Sequence, residues 1–113
     1  MESYSRGDVV KVPFPYTDRA VRRWRPALVV SGARLHDVHG LAWVVMITSA
    51  ENRGWPDDVV VRDLAAAGLP APSVVRPAKI ATIESAAAEK IGAVSGSVLA
   101  QIMKRVGRLL DDE

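Results

Sequence analysis

Apolar residues in this chain come in short dense runs separated by glycine, proline and charge, and only its last stretch shows a helical period. Residues 9–12, 26–31 and 41–48 are runs of four to eight residues rich in Val, Ile and Leu, which predicts three strands. The second and third are almost continuously apolar, as expected of strands covered on both faces, and the third carries Trp43 into the expected core. Residues 59–61 predict a short fourth strand. Residues 73–75 and 80–83 bracket Arg76, Pro77, Ala78 and Lys79, giving one bent strand or two short ones, with Pro77 demanding an edge or a bulge. Residues 90–94 predict a last strand. Beyond Ser95, a good N-cap, Val98, Leu99, Ile102, Met103, Val106, Leu109 and Leu110 recur at helical spacing.

The punctuation fills in the connections. Gly7 and Asp8 form a turn before the first strand, and Pro13 and Pro15 are expected to end it, leaving residues 13–24 as a long loop. Asp37, Val38, His39 and Gly40 predict a turn between the second and third strands. Residues 63–68 predict one helical turn stopped by Gly68. The pattern as a whole predicts one domain over residues 1–113, mostly β with a C-terminal helix: a small barrel or strongly curved sheet of antiparallel strands closed on one side by the helix. In an antiparallel hairpin the numbers of facing residues add to a constant, here about 73 to 77, which sets Arg25 opposite residues near 48 to 52 and brings Thr48 to the same end of the sheet.

At 113 residues, 49% hydrophobic and 25% charged, the chain has an ordinary soluble globular composition. It has no cysteine, so disulfides and thiolate metal sites are excluded and a reducing, cytoplasmic setting is expected. The N-terminus has no apolar run behind it and nothing approaches the roughly 20 apolar residues of a membrane span, so neither export nor a membrane anchor is expected. His36 and His39 sit on a predicted turn without a third ligand, and no metal or cofactor is expected. Net charge is only +2, but residues 1–36 carry +4, residues 37–75 carry −3 and residues 76–113 carry +1. The positive field is local, and Arg22, Arg23 and Arg25 are its densest part.

Those arginines precede a rigid apolar strand. Guanidinium groups stay charged at physiological pH and offer a planar fork of donors to phosphate. Arg22 and Arg23 suit nonspecific phosphate contact, while Tyr16, Trp24 and Trp55 could stack unpaired bases.

In order along nearly the whole chain, residues 6–18, 22–31, 47–49, 68–76, 79–83 and 91–92 resemble the MazF/PemK family of toxins from bacterial toxin-antitoxin pairs. The resemblance implies an SH3-like barrel with a C-terminal helix and a homodimer. It also implies metal-independent, sequence-selective cleavage of single-stranded RNA, and a cognate antitoxin that covers the RNA groove. Cleavage in the family uses the neighbouring 2′-hydroxyl and leaves a 2′,3′-cyclic phosphate and a 5′-hydroxyl. The family's arginine at the start of the second strand falls on Arg25, and its Thr or Ser at the end of the third falls on Thr48. Both are expected to be catalytic, with Arg25 stabilising charge and Thr48 donating to a phosphate oxygen. Substrate contacts are expected from Arg22, Arg23, Trp24, Tyr16, Thr17, Asp18, Ser49, Glu51, Arg76 and Lys79, and Asp18 and Glu51 are the carboxylates available as a base. Trp24 is bulkier than the family's usual residue there, and Gly96 with Val98 is a weaker helix start than its Ser-x-x-Glu box. A gyrase-poisoning toxin of the same fold, or a noncatalytic RNA-binding barrel, are the alternatives.

Overall fold

The computed structural model describes residues 4–15 and 22–111, and at positions 14, 15, 22 and 23 the backbone alone. Six strands form one antiparallel sheet: β1 (Asp8–Pro15), β2 (Arg22–Val29), β3 (Leu41–Ser49), β4 (Val59–Val60), β5 (Ser73–Glu84) and β6 (Glu89–Ala93). Their order is β4-β5-β3-β2-β1-β6. Three helices complete the fold: α1 (Ala33–His39), α2 (Leu64–Ala67) and the long C-terminal α3 (Gly96–Leu110). The sheet curls into a half-barrel, and α2, which follows edge strand β4, packs on the opposite edge strand β6.

The strand residues alternate between two cores, as a period of two requires. Val9, Leu28, Val30, Val45 and Ile47 face Val98, Ile102 and Val106 of α3, while Val10, Val12, Ala27, Val29 and Val44 face the other way with Tyr4. Each fully buried Val or Ile contributes about 1.5–3 kcal/mol relative to exposure, so this double-sided burial is the main reason β1, β2 and β3 form the centre of the sheet. Ser95 caps α3 by accepting from the Val98 N–H. Asp63 caps α2 in the same way from Ala66, and Gly68 ends it in the left-handed region at φ 72°.

Two glycines fix how α2 meets the sheet. A Cβ on Gly92 would run into the Ala66 and Ala67 backbone carbonyls, and one on Gly68 into the Ile91 carbonyl. Their bare backbones let α2 close the gap between the two edges.

The structure departs from the sequence expectations at three places along these elements. Pro13 and Pro15 do not end the first strand; they pair with Trp24 and Arg22 inside the β1–β2 ladder. The tolerance has a physical cause, because β6 pairs only with the part of β1 up to Lys11. Prolines two apart aim their missing N–H groups at the same edge, and beyond Lys11 that edge has no partner among the described residues. The turn expected at residues 37–40 is the end of α1, with Gly40 its left-handed cap. This seven-residue helix has no side-chain N-cap bond and buries only His36, so it leaves no apolar period to read. Trp43 is 49% exposed and not core. At Pro77 the outcome is among those expected, one strand carrying a bulge, since Val45 faces Ile80 and Met46 faces Arg76.

Candidate active site

β2 and β3 pair with facing residue numbers that add to 73, as in Ala27 with Met46 and Val29 with Val44. The same sum carries Arg25 across to Thr48. Both are half-buried, and both line a cavity of about 210 Å³ walled by Pro70, Ala71 and Pro72. The rigid Pro70 to Pro72 segment is tied to the sheet end by the Ala50 N–H donating to the Pro72 carbonyl at 3.0 Å.

The loop after β3 is built by local hydrogen bonds. Ser49 accepts from the Glu51 N–H at 3.2 Å and so caps the single 3₁₀ turn Ala50–Asn52. Asn52 Nδ2 donates to Thr48 Oγ1 at 3.1 Å. A threonine hydroxyl has two acceptor lone pairs and one proton, so this bond occupies an acceptor position and leaves the proton to donate elsewhere. Glu51 is exposed on the same turn.

Arg76 differs most from its sequence expectation. Expected among the substrate contacts, it is only 7% exposed. Its Nε and Nη2 donate to the two carboxylate oxygens of Asp58 at 3.1 and 3.0 Å, and Nη2 also donates to the Asn52 carbonyl at 2.7 Å. The hydrogen bonds to Asp58 push the Arg76 pKa further up, against desolvation, with a smaller contribution from the Asp58 charge. Trp55, 45% exposed, lies over this guanidinium with its ring centroid 4.2 Å from Cζ, and Lys79 Nζ stands 5.4 Å from the same ring. Trp24 is 57% exposed with Lys11 Nζ 5.5 Å from its ring. The backbones of Arg22 and Arg23 form the first two positions of β2. Tyr16, Thr17 and Asp18 lie outside the described residues.

Asn52 and Asp58 join the site without having been singled out in the sequence. Asn52 stands four residues after Thr48, a spacing at which the 3₁₀ turn folds its amide back; that spacing was the available signal. Asp58 carried none, because its pairing with Arg76 follows from the β4–β5 register, in which Val59 faces Val75. Among the described residues no group of three His, Cys, Asp or Glu could hold a metal ion. A larger apolar cavity of about 540 Å³ lies elsewhere, lined by Trp43, Ile80, Leu35, Met103 and Leu110 with Arg6 at its rim.

With this geometry in hand, comparison with known proteins is decisive at the level of family. Residues 5–110 match the PemK-like, MazF-like toxins of type II toxin-antitoxin systems. The chain belongs to this family. Among solved structures, MazF from Deinococcus radiodurans (Form-I) superposes with TM-score 0.78 at 26% identity over 97% of this chain and 98% of that one. A MazE-MazF structure (Form-III) from the same organism gives TM-score 0.79 at 27% identity over 96% and 97%. An endoribonuclease in complex with its cognate antitoxin, from a mycobacterial species, shares the fold with TM-score 0.74 at 19% identity over 97% and 95%. Among curated proteins, none matches the chain. The six antiparallel strands with a C-terminal helix are thus the MazF fold, and the chain is a toxin of that class. No described helix is long and apolar enough to cross a membrane.

Proposed function

We propose that this toxin is an endoribonuclease that cuts single-stranded RNA at the Arg25–Thr48 cavity. The observation that carries the reading is the cavity itself: the Arg25 guanidinium and the Thr48 hydroxyl line it at the end of the β2–β3 pair, that hydroxyl already accepting from Asn52 and left with a proton to donate.

The chemistry follows from what each group can do. The 2′-oxygen of the substrate ribose attacks the adjacent phosphorus, a new O–P bond forms, and the P–O5′ bond breaks. The products are a 2′,3′-cyclic phosphate and a 5′-hydroxyl. Since the nucleophile is part of the substrate, no metal-activated water is required. The transition state gathers negative charge on the phosphate oxygens, where a guanidinium fork and a hydroxyl donor stabilise it; removal of one such donor costs on the order of 10²–10³ in rate. Arg25 does not give up its charge, so it stabilises charge and does not act as the base. Asp18 or Glu51 is proposed to take the 2′-hydroxyl proton and water to supply the proton that the departing 5′-oxygen takes up, while Arg22, Arg23, Lys79 and Trp24 hold the strand on either side.

The partners follow from the same reading. The solved relatives include a toxin with its antitoxin, which supports a cognate antitoxin for this chain that competes for the RNA-binding face. The exposed Trp43, Ile80 and Leu110 around the large apolar cavity form a surface suited to a second copy of the chain, which supports a homodimer.

The test is incubation of the purified toxin with a long unstructured RNA in the presence of a chelator, followed by mapping of the ends. Discrete cuts with cyclic phosphate termini are expected. Bound but uncut RNA would reduce the protein to a binding barrel, and no interaction with RNA would remove the proposal.

A further inference from the structure

A sheet that buries an arginine against an aspartate gains little stability from the pair, since a well-packed apolar pair of similar volume is often as good or better. What the Arg76–Asp58 pair supplies here is geometry. Arg76 stands at the bulge of β5, Asp58 just before β4, and Asn52 at the end of the 3₁₀ turn after β3. One guanidinium ties all three by the fork on Asp58 and the 2.7 Å bond to the Asn52 carbonyl. Asn52 in turn uses its side-chain amide on Thr48 Oγ1. The same guanidinium carries the Trp55 ring on its outer face.

We propose that Arg76 is a positioning residue: through Asn52 it sets the direction in which the Thr48 hydroxyl donates, and through stacking it holds Trp55 flat as a platform for an unpaired base. Its own charge is taken up by Asp58, so it does not bind phosphate. The inference rests on the assignment of Thr48 as a phosphate donor, and it adds the network that aims that donor. It also accounts for the shape of the charged loop of residues 50–58, whose first turn and last residue are fastened to the same buried side chain.

Removing Arg76 alone would strand a buried carboxylate, so the informative variant replaces both partners, Arg76→Met with Asp58→Leu. Its fold, followed by circular dichroism and melting, is expected to stay intact. RNA cleavage should fall about 10- to 100-fold in kcat while KM for an RNA with no base at the Trp55 position changes less than about twofold, because a misaimed donor costs rate and not binding. Asn52→Ala should give the same loss, and adding the double replacement to Asn52→Ala or to Thr48→Ala should cost nothing further. Independently of activity, the NMR signals of the Asn52 side-chain amide should move toward free-amide positions in the double variant. Arg76→Lys, which keeps the charge but loses the fork, should displace the same signals and serves if the double variant does not fold. An unmoved Asn52 amide, or a loss of kcat that persists in full on the Thr48→Ala background, would overturn the proposal. A wild-type protein that leaves RNA uncut would instead sink the assignment of the active site, and the amide signals would still decide whether Arg76 positions Asn52.

Discussion

Two arginines of similar sequence context, each followed by Pro and Ala, end in different surroundings. Arg25 lies at a cavity beside Thr48, whereas Arg76 is enclosed, neutralised by Asp58 and capped by Trp55. The first lines a cavity that solvent reaches, and the proposed reaction puts a phosphate there. Arg25→Ala should therefore reduce RNA cleavage by at least about 10²-fold with an unchanged melting curve, and Arg25→Lys should recover only part of it, since an ammonium lacks the fork. A fully active Arg25→Ala protein would remove the central assignment. Arg22 and Arg23 continue the same strand outward, and replacing both by Ala should weaken binding of all RNAs alike. The slope of log Kd against log salt should fall by about 1.4, because contacts to single-stranded phosphates release counterions without reading sequence.

Between elements, the close packing of α2 on β6 is the most demanding contact in the fold. Gly92 faces the backbone of Ala66 and Ala67, so Gly92→Ala forces a methyl against backbone, where no side chain can give way. We expect a loss of about 1–3 kcal/mol, read as a lower denaturation midpoint with the slope unchanged. The helix cap offers a milder companion: Ser95→Ala removes the bond to the Val98 N–H and should cost about 1 kcal/mol. The sequence foretold these elements unevenly, for reasons specific to each. Ser95 and Gly68 act on neighbours within five residues, so the cap of one helix and the stop of another could be read directly. α1 could not, because its one buried side chain, His36, gives no period. Pro13 and Pro15 misled because their cost depends on where β6 stops, which is decided by a strand about 75 residues further on.

At the scale of the molecule, the exposed apolar surface around Trp43, Ile80 and Leu110 is the feature a single copy leaves uncovered. Trp43→Asp is expected to shift the toxin from dimer to monomer by sedimentation, with the monomer retaining native circular dichroism; a wild-type protein already monomeric at micromolar concentration would end that expectation. By itself the sequence determined what depends on nearest neighbours and on period: the strand runs, the C-terminal helix with its cap, and the hairpin sum that sets Arg25 across from Thr48. That sum survived the replacement of the expected turn by a helix, because it depends on the register of β2 on β3 and not on the shape of the connection. Only the tertiary structure decided that Trp43 faces outward, that Arg76 is buried on Asp58, and that Asn52 bonds to Thr48. Each of these depends on which distant elements meet, on a bulge of Pro77, Ala78 and Lys79 and on a two-residue strand, and no local pattern encodes that.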